Sequence, residues 1–331
     1  MIFMKEKFKI ASEINYFDID ALKFRGKGFF NKIDKDKKNY LKKFSFLISK
    51  KKLNCPLCKN NKNEIFLKIS TKYKILECKK CTLKFPNVDF VSNKKYSNII
   101  YDKYSHLNHR KNIMRTSNYR LKMMQERYDY CIKNNFKNPK SIKVIDYGCG
   151  NGLFIDFLKK KGISGVGIEV DEASTQKLIN KRIKFFKDIE SAKSNSYDLC
   201  VMFDVLEHLT NPINDLIKIS KKLKKNGKII IYTPNIHSLA FELMGPNQNQ
   251  VYPFQHTLFF TKKSLNFLAK KTKLKIKNNE TFGLDLMDYF FMREHFDKKK
   301  YFGIFKDFIN KTQSLVDISG YGNHFRIIFQ K

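Results

Sequence analysis

The ten residues KVIDYGCGNG, 143–152, restrict this chain more than any other stretch. β-Branched residues come first, then an acid, then glycines at 148, 150 and 152. That order describes a buried strand that enters a turn too tight for side chains and leaves it as a helix. At a helix N-terminus the unpaired N–H groups and the dipole favour a carboxylate or phosphate, so bare amides over 148–152 are expected to face an anionic ligand. A dinucleotide fingerprint would need glycine at 153, where Leu153 stands, and a P-loop would need a Lys-Ser or Lys-Thr pair after the turn. Both are excluded.

The flanking sequence alternates between strand and helix. Strands are expected at 142–146, 164–169, 183–187, 197–203 and 228–233, and later at 274–282 and 324–330. Helices should open near Gly152, Asp171 and Pro212 and run over 261–271. The one at Pro212 has Asn211 as its cap and is expected to run to Gly227. Repeated β-α units imply a parallel sheet with right-handed crossovers.

Taken with these landmarks, the glycine turn resembles motif I of the class I S-adenosylmethionine-dependent methyltransferases. The resemblance covers 141–331 and implies an α/β, Rossmann-like fold: a seven-stranded doubly wound sheet with its last strand antiparallel, carrying an insertion at about 284–318. By the same resemblance Asp146, Tyr147, Gly148, Gly150 and Gly152 form the cofactor turn. GVGIEVD places Glu169 where the family's ribose-binding acid sits, and FFKDIE places Asp188 where its acid reaches the adenine amino group. YDLCVMFDVLEHLTNP is similar to the family's fourth-strand motif and adds Asp204 to the cofactor set. Alone, Glu169 reads equally as a helix cap and Asp188 as a turn residue; their order behind the glycines is what distinguishes them. Cys149 needs only to be small, and is expected to pack.

Methyl transfer from a sulfonium is an in-line displacement, and a hydroxyl acceptor must also lose a proton. His208, just past the fourth strand, and His256, on the loop after the fifth, are the candidate bases. Asp204, Glu207 and His208 also resemble the Mg²⁺-binding arrangement of quinone-biosynthesis O-methyltransferases, which makes a hard cation a further option. Tyr252, Phe254 and the aromatic insertion are expected either to form a lid or to pack in the core.

Four of the seven cysteines fall as Cys55-x2-Cys58 and Cys78-x2-Cys81. Two such knuckles complete a tetrahedral Cys₄ site, so a structural zinc closed to substrate is expected. The segments resemble a zinc ribbon, with Leu83 and Phe85 as a small apolar floor. The domain order expected is a basic lead segment over 1–50, the ribbon over 51–95, a helical connector over 96–140 and then the methyltransferase domain. Zinc ribbons before this domain resemble a group of bacterial sugar- and polysaccharide-tailoring enzymes. A small-molecule acceptor follows, a sugar or phosphorylated, nucleotide-linked sugar, with an RNA methyltransferase as the alternative.

The formal charge of +35 would suit a nucleic-acid or anionic partner, but only eight of the 66 basic residues are Arg, the residue that reads bases bidentately. No stretch reaches the roughly 18 uninterrupted apolar residues of a membrane span, and the first residues carry charges where a signal peptide is apolar. A cytoplasmic protein is expected on that ground.

Overall fold

A computed structural model describes residues 28–90 and 117–331. The expected lead segment up to 27 and the connector from 96 to 116 lie outside the described residues. The chain forms two compact units built from interleaved stretches. One takes the described residues up to 90 together with 234–265 and 280–325, and the other takes 117–233, 266–279 and 326–331. No helix among the described residues is long and apolar enough to cross a membrane.

The second unit is organised by a seven-stranded sheet. Its strands are β4 (Lys143–Tyr147), β5 (Ser164–Ile168), β6 (Phe185–Phe186), β7 (Tyr197–Phe203), β8 (Leu223–Pro234), β9 (Lys275–Phe282) and β10 (His324–Gln330). Their order in space is β6-β5-β4-β7-β8-β10-β9. The pairs from β6 to β8 are parallel, and one strand of the sheet is antiparallel. Four consecutive residues of β7, Leu199, Cys200, Val201 and Met202, are fully buried, which is how a strand covered on both faces reads. The connecting helices are α3 (Leu153–Lys160), α4 (Glu172–Asn180) and α5 (Pro212–Lys222), preceded by α2 (Ser117–Tyr128). Asp171 caps α4 by accepting the Ser174 amide at 2.8 Å, and Asn211 caps α5.

α5 ends earlier than its glycine suggested. The chain leaves the helix at Lys222 because Leu223 is fully buried in β8, opposite Tyr197. The next paired residue is Lys228 opposite Leu199, so 224–227 bulge out. A Cβ on Gly227 would come 2.8 Å from the Leu223 Cβ; the glycine serves this bulge, not a helix stop.

In the first unit β1 (Asn63–Lys68), β2 (Lys74–Cys78) and β3 (Lys84–Pro86) form an antiparallel sheet. The free edge of β3 is closed by reciprocal backbone bonds between Lys84 and Phe259, 3.0 and 2.8 Å. The buried Lys84 ammonium reaches Glu77 at 3.3 Å and His237 Nε2 at 2.8 Å and lies over the Phe66 ring.

The segment expected as a basic lead is helical from residue 29, as α1 (Phe29–Lys43). Phe30 enters an apolar core with Ala240 and Met244 of α6 (Leu239–Met244), Leu286 and Phe291 of α8 (Asp285–Asp297) and Ile309 of α9 (Phe302–Ile318). The insertion therefore supplies packing residues for α1 and α6. Phe254 likewise packs, fully buried between Phe44 and Tyr73 at ring distances of 5.8 and 4.8 Å. Neither the insertion nor Phe254 needs a lid role to account for its aromatic character.

Candidate functional site

In the second unit, β4 delivers its chain into the glycine turn. Gly148, Gly150 and Gly152 all have positive φ, of 76, 55 and 72°. A Cβ at 148 would sit 2.5 Å from Val205 Cγ2, and one at 152 would collide with Leu178 and Ile183. At 150 nothing lies within 4 Å. The outer glycines are there for close packing, while Gly150 opens onto free space.

Four amides of the turn are engaged within the protein. Gly148 and Cys149 both donate to Ile168 O, at 2.8 and 3.2 Å, and Gly152 donates to Cys149 O at 3.0 Å. Gly150 donates to Glu169 Oε2 at 2.7 Å. These donors hold the turn against β5, because buried N–H groups must find a partner. With these four amides engaged inside the protein, the turn offers a glycine face and the start of α3, whose first intrahelical bond is Asp156 N to Gly152 O.

Glu169 is buried directly after β5, and its Oε1 also accepts from Val170 N and Asp171 N, both at 2.8 Å. An ionised carboxylate has about four acceptor positions, so three amides leave one for a hydroxyl. Asp188 is exposed. Its Oδ1 accepts the hydroxyl and the amide of Ser191, both at 2.8 Å, and those bonds hold its carboxyl below the usual range. It caps its own turn and makes no bond to Glu169. Tyr147 ends β4, paired with Ile168. Cys149 packs with Ile155, Leu178 and Ile183.

Asp146 is buried at the end of β4, and burial pushes its carboxyl up to about 7, opposed by Arg127 and reinforced by Glu169. Arg127, from the last turn of α2, was not singled out from the sequence. Its guanidinium lies 4.0 Å over the Phe203 ring and 3.8 Å from Asp204 Oδ2. One signal for it was available: arginine is scarce in a chain that otherwise uses lysine, and a planar fork that stacks on a ring is what lysine cannot supply. Asp204 follows β7 with a positive φ of 57° and about half its side chain exposed. The structure thus links Glu169 to the glycine turn through Gly150, and Asp146 and Asp204 to the Arg127 guanidinium.

Glu207 and His208 lie in the short 3₁₀ turn after β7. Glu207 is buried and accepts the Thr233 hydroxyl at 2.9 Å; burial first, and Asp204 second, raise its carboxyl well above the usual range. Asp204, Glu207 and His208 do not bring three ligand atoms within 4.8 Å of one another. The ligand atoms of Glu207 and His208 do lie within 4.8 Å of each other, while Asp204 Oδ2 is 3.8 Å from the Arg127 guanidinium. His256 belongs to the first unit, on the loop before α7 (Lys262–Thr272), with its amide donating to Tyr252 O.

Also in the first unit, the sulfurs of Cys55, Cys58, Cys78 and Cys81 all lie within 4.8 Å of one another, with Cys55–Cys81 at 3.5 Å and Cys58–Cys78 at 3.4 Å. The two knuckles share one geometry. Lys59 N donates to Cys55 O and Thr82 N to Cys78 O, both at 2.9 Å, and Lys59 and Thr82 both adopt positive φ. Leu83 and Phe85, expected as an apolar floor, are buried.

Residues 118–277 match the family model described as a methyltransferase domain. A ubiquinone biosynthesis O-methyltransferase of Pelagibacter ubique is 28% identical over 175 residues, 48% of this chain and 72% of that protein. The enzyme of the same name from Rickettsia bellii is 24% identical over 120 residues, 34% of this chain and 50% of its own length. A solved S-adenosylmethionine-dependent methyltransferase from Archaeoglobus fulgidus covers 64% of this chain and 94% of its own, at 20% identity and a TM-score of 0.46. The two relatives' names mention neither a sugar nor an RNA.

Proposed function

We propose that this protein, which carries a class I S-adenosylmethionine-dependent methyltransferase domain, transfers a methyl group to a hydroxyl of a small-molecule acceptor. The observation that carries the reading is the turn at 147–152, locked to Glu169 and opening at Gly150, with Arg127 3.8 Å from Asp204 and acting on Asp146 at the end of β4. In this reading Glu169 offers its remaining acceptor position to the donor's ribose, Arg127 pairs with its carboxylate, and Asp188 accepts from its adenine amino group. When bound, S-adenosylmethionine supplies an electrophilic methyl carbon.

The protein's contribution is then positioning and one proton transfer. Holding the acceptor oxygen about 3 Å from the methyl carbon, in line with the bond that breaks, removes most of the entropic barrier. The hydroxyl proton passes to an imidazole, and we assign that role to His208, with His256 as the alternative base. Oxygen as the methylated atom draws on the Pelagibacter and Rickettsia relatives, both named as O-methyltransferases. The sugar acceptor expected from the ribbon stays within that class as one kind of hydroxyl.

The test is transfer of an isotopically labelled methyl group to a panel of phenols and nucleotide sugars. Label on oxygen supports the reading; label only on nitrogen, carbon or RNA rejects it. His208→Ala should lower turnover by about 10²-fold or more with donor affinity unchanged, the usual effect of losing a general base. Equal turnover would move the role to His256.

We also assign a structural zinc to the four cysteines. A tetrahedral site with bonds of about 2.3 Å places sulfurs roughly 3.8 Å apart, close to the spacings present here. With four protein ligands it has no position left for substrate. Elemental analysis should give one zinc per chain, and Cys55→Ser with Cys58→Ser should remove it and lower the melting temperature. A metal-free protein with an unchanged melting temperature would refute the assignment.

A further inference from the structure

We propose that the outward face of α1 and the turn after it dock on an anionic phospholipid surface. Residues 35–52 contain eight lysines and a single acid, Asp36, a local charge of +7. The fold sorts these charges. Asp36 accepts a hydrogen bond from the Tyr252 hydroxyl. Lys37, buried, donates to Pro246 O at 2.9 Å and Gln248 O at 2.8 Å. Lys35, Lys38 and Lys42, at helical spacing of three and four, are left exposed on the opposite side, and Lys50, Lys51 and Lys52 are exposed beyond the helix. Of the outward lysines on the helix, Lys38 has an acidic partner, Asp34 at 2.8 Å and itself exposed.

Within this basic segment the Phe46 side chain is 72% exposed, the highest value among the exposed large apolar residues described in the chain. Its neighbours Phe44 and Leu47 are buried, so the turn holds the ring away from the core. A protruding aromatic flanked in the sequence by exposed lysines matches a bilayer surface on both counts. The ammonium groups are drawn to the negative surface potential, and the ring gains by leaving water at the headgroup boundary. A nucleic acid is the weaker match, because 35–52 contain no arginine for bidentate phosphate or base contacts. The inference stands apart from the proposed chemistry, which uses none of these residues.

The experiment is co-sedimentation of the full chain with vesicles of phosphatidylglycerol and phosphatidylcholine, or of phosphatidylcholine alone, at low and physiological salt. Binding is expected only to the first, falling as salt rises. Lys35→Glu with Lys42→Glu should weaken it about tenfold or more, since each lysine near an anionic surface contributes and each reversal repels. Phe46→Ser should weaken it about threefold or more at constant charge. Melting temperature and S-adenosylmethionine affinity should be unchanged in both variants, which separates lost docking from lost folding. Equal binding of wild type and variants overturns the proposal. So does equal binding to both vesicle types, or tighter binding to a mixed-sequence RNA than to the anionic vesicles.

Discussion

Glu169→Ala will weaken S-adenosylmethionine binding by at least about tenfold, and will do so mainly by releasing the glycine turn. The carboxylate is buried and accepts from the Gly150, Val170 and Asp171 amides at 2.7–2.8 Å. Hydrogen bonds to a charged group contribute about 1.5–3 kcal/mol each, and stranded buried donors cost about 1–3 kcal/mol. Water entering the cavity would recover part of this, so a net loss of about 3 kcal/mol is expected, shared between stability and ligand affinity. Glu169→Gln is the sharper variant. Each carboxylate oxygen faces an N–H, so wherever the amide nitrogen goes, a donor meets a donor. Glutamine should therefore behave much like alanine despite its matched shape. Calorimetric titration with the donor and thermal melting measure both parts; wild-type affinity in the glutamine variant would show that the turn does not depend on this carboxylate.

Arg326→Met should be the most destabilising single change in the second unit. Arg326 Nη1 contacts Glu126 Oε1 at 2.8 Å with both side chains about 90% or more buried, and its guanidinium lies 4.4 Å from the Tyr130 ring centre. The Tyr232 hydroxyl donates to the same oxygen at 3.1 Å. Removing one member of a buried pair leaves the other charge uncompensated, typically at a cost of about 3–5 kcal/mol. Adding Glu126→Leu should recover much of that loss, because an apolar pair no longer holds a stranded charge. Denaturant unfolding of both singles and the double closes the cycle. Glu126 adjoins Arg127 in α2, so the double variant should regain stability more fully than donor affinity. A double variant no more stable than Arg326→Met would exclude stranded charge as the cause.

The landmarks read from the sequence differ in how far they carried. β7 at 197–203 and β10 at 324–330 begin and end where their largely apolar runs say, because five of the seven positions in each are buried and a strand covered on both faces reads as a near-continuous run. The end of α5 went the other way: local capping signals pointed to Gly227, and burial of Leu223 won. Lys37 was indistinguishable from its neighbours in a lysine-rich stretch. Only two carbonyls more than 200 positions away make it a buried donor, with burial lowering it to about 7.

By itself, the sequence determined the order of strands and helices, the sharp glycine turn and the pairing of cysteine knuckles, since each is written in neighbours a few residues apart. Tertiary structure alone decided that amides of the turn point to Ile168 and Glu169, that Arg127 stands over Phe203, and that Glu207 is buried against Thr233. Those outcomes depend on which distant groups share a desolvated space, and local spacing carries no record of that.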